Sequence, residues 1–207
     1  MKRCIVIGSM PIGFDLKSIV TPDDIIYCAD GGYIHAENGG ITPHIIVGDF
    51  DSSPQPKNPK AKIIKLPCEK DDTDTYHIAR MAVEEKFTDA VFCGVTGGRL
   101  DHTIANIQML KYLENSGVNA VILDKDSEIR VITDRSITLQ PRENCYFSIF
   151  SMGEKCLGVS EIGSKYQLSD VELTNSFPVG VSNEFCSKPI EITVKQGSLL
   201  IIVTKKD

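Results

Sequence analysis

Two aspartates one residue apart, Asp49 and Asp51 in "IIVGDFDSSP", close an apolar run that reads as a buried strand. Like charges so close repel unless a cation, a cap or open water relieves them. They have company. Asp30 precedes the glycine pair Gly31 and Gly32 in "CADGG", and Lys70, Asp71, Asp72, Thr73 and Asp74 follow one another in "EKDDTD". "TGGRLDH" carries Gly97, Gly98, Arg99 and Asp101. Carboxylates in such number suit Mg2+, which prefers oxygen ligands and is usually held by one or two carboxylates together with substrate phosphates. Paired glycines let backbone N–H groups approach an anion, and a helix start favours phosphate. The Arg99 fork matches phosphate oxygens. Acids for a metal, glycines for backbone donors and an arginine together point to phosphoryl or pyrophosphoryl transfer.

Plainer roles compete for each residue. Asp49 and Asp51 also suit a turn. Asp72 and Asp101 each precede a helical pattern and suit an N-cap. Glycine pairs commonly just permit tight turns. Convergence favours a site, because a cap needs one acid per helix and not acids at four successive strand ends. No GxxxxGK[ST] occurs (the nearest stretch, "GSMPIGF", lacks the lysine), and no GxGxxG follows a strand. That sets aside an ordinary P-loop and a standard dinucleotide site. "DFDSS" also fits the DxD of an aspartate-nucleophile phosphatase, a reading that leaves the other clusters unexplained.

The elements that must position these residues are legible as well. Short β-branched runs lie at 4–8, 25–29, 45–48, 62–66, 90–94 and 119–124. Two helical patterns stand between the later ones. Residues 73–87 put Ile78, Met81 and Ala82 on one stripe; residues 103–115 do so with Ile104, Ile107, Leu110 and Leu113, and Gly117 stops the helix. Continuous apolar strands with helical crossovers predict a mostly parallel sheet flanked by helices. Ligands bind such sheets at the carboxyl ends of the strands, which is where the acids and paired glycines fall. After about Asp126 the texture changes to short strands at close spacing without a long helical period, as in "EIRVIT", "CYFSIF" and "SLLIIVT". That predicts a C-terminal antiparallel β-sandwich. The expected fold class is therefore α/β with an added sandwich, divided as residues 1–126 and 127–207.

The chain has 207 residues, 42% of them hydrophobic, and a net charge of −6. It can bury a core, and its charge argues against general affinity for nucleic acid. Its seven cysteines show no CxxC spacing and read as buried thiols of a cytoplasmic protein. The apolar run after the basic start is too short for a signal peptide, and none approaches the ~20 residues that span a bilayer.

Taken in order, "ADGG", "GDFDS", "KDDTD" and "TGGRLDH", followed by a β-rich half containing "GVSNEF", resemble the thiamine pyrophosphokinase (thiamine diphosphokinase) family from about Cys28 to the C-terminus. The resemblance implies a Mg2+-dependent homodimer that transfers pyrophosphate from ATP to the hydroxyl of thiamine, giving thiamine diphosphate and AMP. It implies a nucleotide-binding catalytic domain followed by a thiamine-binding sandwich, with sites shared between subunits. Asp49, Asp51, Asp74 and Asp101 match its metal-facing acids, and Arg99 matches its phosphate contact. Asp30 matches an acid at the floor of the site. Thr73 and the glycines Gly31, Gly32, Gly97 and Gly98 fall at the nucleotide, and Lys70 falls at a phosphate. Ser182 and Asn183 match a segment that touches nucleotide or thiamine. The chain has no tryptophan to stack on thiamine, and Phe185 reads as core. His102, next to Asp101, is expected to turn away from the cluster on its helix. A pyrophosphokinase for another heterocyclic alcohol, such as a pterin, and a non-catalytic nucleotide- or thiamine-binding regulator are the remaining alternatives.

Overall fold

The computed structural model describes residues 2–50, 53, 54, 56, 60–67 and 72–206. They form two compact units, Met1–Lys125 and Asp126–Asp207.

In the first unit the chain runs β1 (Arg3–Ile7), β2 (Ile25–Ala29), α1 (Gly32–Asn38), β3 (Ile45–Gly48), β4 (Lys62–Lys65), α2 (Asp74–Glu84), β5 (Asp89–Cys93), α3 (Leu100–Asn115) and β6 (Asn119–Leu123). The strands pair in parallel in the order β4-β3-β2-β1-β5-β6. The chain steps outward from β1 to β4, then crosses back to add β5 and β6. The order therefore reverses between β1 and β5, the place where such sheets open a ligand crevice. Cys4, Ile5, Val6 and Ile7 of β1 are all fully buried, which is why the strand reads as one apolar run without alternation. Burial also pushes the Cys4 and Cys93 thiols up to about 12, so neither is a nucleophile.

The sequence pattern predicts two helices here; the structure adds a third, α1. It begins directly behind Asp30 because the chain turns on glycine. A Cβ at Gly32 would stand 2.0 Å from the carbonyl oxygen of Ile7, so only glycine lets α1 lie against β1. The cap of α2 is Thr73, whose hydroxyl accepts from Tyr76 N at 3.2 Å. Asp72, a cap candidate by sequence, instead faces Arg80 at 3.7 Å.

One buried ion pair braces the sheet's start. Arg3 Nε and Nη2 donate to the two carboxylate oxygens of Asp24, both at 2.7 Å, and Thr21 N donates to Asp24 Oδ2 at 2.6 Å. Burial works to raise the Asp24 carboxyl, but the Arg3 guanidinium and Thr21 outweigh it and hold it below its ordinary value. This stabilisation is present above the ordinary carboxylate range and is lost as pH falls through the lowered value. Asp24→Asn should cost about 2 kcal/mol in urea unfolding at neutral pH, less than for a fully buried pair because Arg3 keeps partial solvent contact.

The second unit comprises β7 (Ser127–Thr133), β8 (Ser136–Leu139), β9 (Cys145–Ser151), β10 (Lys155–Ile162), β11 (Leu168–Thr174), β12 (Asn183–Glu184), β13 (Ile190–Thr193) and β14 (Ser198–Lys205). The strands pair antiparallel in two sets, β12-β9-β14-β7 and β11-β10-β13-β8. Phe147, Ile149, Ile201 and Val203 of one set share a core with Val159, Leu173, Ile190 and Ile192 of the other. Leu199, Ile201 and Val203 recur at every second position of β14 and face this core, while Ser198 and Leu200 on its other face are buried as well.

Candidate active site

Three strand or helix ends bring acids together in the first unit. Asp30 follows β2 directly and takes the left-handed conformation, φ 46°, which Asp tolerates better than most residues. Its N–H donates to Val47 O at 2.8 Å, and Ser53 Oγ donates to its Oδ1 at 2.7 Å. Asp49 follows β3, and Phe50 behind it stands at φ 59°, a costly conformation for a bulky residue. Asp74 is the first residue of α2, where the helix dipole favours a carboxylate. Asp30, Asp49 and Asp74 are half-buried, and each offers an oxygen within 4.8 Å of the others. Such a donor set fits a hard divalent cation.

These acids line a cleft of about 840 Å³. Its other wall is the loop after β5. Gly97 and Gly98 stand at φ 83° and 68°, the left-handed region that glycine enters without steric cost. Arg99 follows them. Thr73 also lines the cleft. So does the loop after β1, Gly8 to Met10, which sequence reasoning missed. That loop is fixed across the β1/β5 divide: Gly8 N donates to Cys93 O at 2.8 Å and Met10 N to Gly94 O at 2.9 Å. It bears no charge, and the only signal for it is topological, since β1 flanks the switch point. Asn106, also unforeseen, is buried in α3 and donates from Nδ2 to Val95 O at 2.7 Å, tying the helix to the loop.

Other expected site residues stand elsewhere. Asp101 is not brought to the acid trio. It is exposed and paired with Arg99, whose Nη2 donates to Asp101 Oδ2 at 2.5 Å. The pairing lowers the Asp101 carboxyl and raises the Arg99 guanidinium. His102, expected to turn away, lines the cleft instead. Gly31 and Gly32 are buried, and Gly32 serves the contact of α1 with β1. Asp51, Lys70 and Asp71 lie outside the described residues. In the second unit, Ser182 takes φ 58° and is exposed, whereas Asn183 is buried and hydrogen-bonded within the sandwich. Phe185 packs on Phe147 with ring centroids 5.3 Å apart, as a core residue does.

A family model described as "Thiamin pyrophosphokinase, catalytic domain" matches residues 16–122, and one described as "Thiamin pyrophosphokinase, vitamin B1 binding domain" matches residues 133–199. The chain belongs to the thiamin pyrophosphokinase family. Thiamin pyrophosphokinases are enzymes of thiamine diphosphorylation, and that is the class of this chain. It is 26% identical over 179 residues to thiamine pyrophosphokinase of Bacillus subtilis, covering 84% of each chain. It is 28% identical over 170 residues to thiamin pyrophosphokinase 1 of Caenorhabditis elegans, covering 77% of this chain and 68% of that one. The crystal structure of the Bacillus subtilis enzyme superposes with a TM-score of 0.91 at 24% identity over the full length of both chains. That likeness confirms the fold: a mostly parallel sheet with helices, and an antiparallel sandwich. Among the described residues, no helix is long and apolar enough to cross a membrane.

Proposed function

We propose that this enzyme transfers the pyrophosphoryl group of ATP to the hydroxyl of thiamine, with Mg2+ as cofactor. One observation carries the reading: an acid trio stands in the same cleft, at the sheet's switch point, as a glycine loop that ends in Arg99. Asp30, Asp49 and Asp74 hold the metal, and Asp51, two residues beyond Asp49, joins them. Bound there, Mg2+ supplies positive charge to the polyphosphate. The N–H groups of Gly97 and Gly98 and the N-terminal turn of α2 receive phosphate oxygens. Arg99 exchanges Asp101 for the polyphosphate, so Asp101 is assigned to Arg99 and not to the metal. Thr73 and Lys70 flank the nucleotide. The thiamine oxygen bonds to the β-phosphorus, the bond from that phosphorus to the α-phosphate oxygen breaks, and AMP leaves. Positioning and fixed dipoles provide most of the acceleration.

The second unit contributes Ser182 and the segment around Asn183 to thiamine recognition in a homodimer with shared sites. Exposed Phe177, Val179 and Val181 on that unit support burial against a second copy. Free cysteines throughout the described residues support a cytoplasmic location. The test is product analysis with ATP, Mg2+ and thiamine. AMP should form in proportion to thiamine consumed. Thiamine-independent release of phosphate, the behaviour of an aspartyl phosphatase, would overturn the assignment.

A further inference from the structure

Inside the sandwich lies an acid that this chemistry does not use. Val159 and Glu161 of β10 point inward while Ile162 is exposed, and Glu161 is 1% exposed. Its Oε2 accepts from Asn183 Nδ2 at 2.7 Å, and its Oε1 is buried with no hydrogen-bond partner among the described residues. Asn183 belongs to the opposite set of strands, so this bond ties the two sets together. The same amide is a junction. Its Nδ2 also donates to Tyr166 O at 2.7 Å, and its Oδ1 accepts from Tyr166 N at 3.1 Å and Glu184 N at 2.8 Å. Lys165 N donates to Glu184 O at 3.1 Å, and Ser182 N donates to Ser148 Oγ at 3.0 Å.

The charged groups on the surrounding elements are engaged or exposed. Lys165 and Lys206 both pair with Glu184 of β12. Asp170 of β11 pairs with Lys195, Glu172 with Lys155, and Glu191 of β13 is exposed. A Glu161 carboxylate would therefore lack the counter-charge that a buried ion requires. Burial pushes its carboxyl up to about 7, opposed by the Asn183 amide. The folded protein thus keeps a proton that the unfolded chain releases. Stability falls as pH rises from the ordinary glutamate range to about 7, then levels off.

We propose that Glu161 is a positioning residue: uncharged, it stays buried beneath Asn183 and lets the 182–184 segment close, and its ionisation favours the opened segment, in which water reaches the carboxylate, and so weakens thiamine binding. The last step rests on the assignment of Ser182 and Asn183 to thiamine recognition made above.

The test compares the full-length enzyme with Glu161→Gln, which stays neutral at every pH, so that titration of ATP or thiamine cancels between them. Hydrogen exchange at the Tyr166 and Glu184 amides is read beside KM for thiamine and kcat. Between about pH 6 and about pH 8.5 the wild-type amides should lose roughly tenfold in protection relative to the variant. KM should rise roughly threefold or more relative to the variant, with kcat unchanged. Asn183→Ala, which cuts the link but leaves the acid, should show the loosened segment at both values. Equal protection in wild type and Glu161→Gln across the range overturns the proposal. Lost protection with an unchanged KM ratio leaves the clamp standing and removes the segment from the thiamine site.

Discussion

Asp49→Asn should lower kcat by at least about a thousandfold while leaving the protein folded. The substitution keeps the shape of the side chain at the end of β3 and removes its charge. Asp30, Asp49 and Asp74 hold their oxygens within 4.8 Å of one another, so the amide removes one charge from a donor set suited to a divalent cation. Thermal unfolding without metal should move by less than about 1 kcal/mol, because the half-buried side chain keeps its shape. Adding Mg2+ and a non-hydrolysable ATP analogue should stabilise the wild type clearly and the variant little, because ligand stabilisation follows affinity. Asp74→Asn should behave alike. Asp101→Asn should lose less, because Asp101 stands outside the acid trio and pairs with Arg99. Full activity in Asp49→Asn would remove the trio from the chemistry.

Gly32→Ala should destabilise the first unit by about 3 kcal/mol or more. The added Cβ would stand 2.0 Å from Ile7 O, 2.7 Å from Ile7 C and 3.0 Å from Gly8 C. All three are backbone atoms of β1 and the loop behind it, so no rotamer change relieves the clash. The helix must withdraw from the sheet, taking Asp30, two residues upstream, away from Asp49. Activity should fall together with the urea midpoint. Gly97→Ala is the control: a Cβ there meets nothing within 4 Å, so only its φ of 83° opposes the change. That costs about 1–2 kcal/mol. Equal midpoints for Gly32→Ala and the wild type would mean that α1 is not held as described.

The strands were legible in the sequence because parallel strands covered on both faces carry unbroken apolar runs, as β1, β2 and β5 do. The acids were legible because four strand ends bore them. What escaped was set by contact and not by pattern. α1 has seven residues, buries only Gly32, Tyr33 and Ala36, and opens on a glycine that by propensity argues against a helix. β12 has two residues, and its place follows from the cross-sheet bond of Asn183. Gly8 to Met10 carry no charged side chain, so only the strand order identifies them. Spacing alone cannot say whether Asp101 or His102 faces the cleft. In the structure His102 lines it together with Arg99, and Asp101 pairs with Arg99.

The most direct measurement of the central claim follows the β-phosphorus of ATP. With ATP radiolabelled at that atom, pyrophosphoryl transfer must carry the label into thiamine diphosphate and leave none in the nucleotide product, AMP. Two successive single-phosphoryl transfers would leave the label in ADP and give thiamine diphosphate built from γ-phosphates alone. The proposed reaction predicts the first result; label retained in ADP would contradict it.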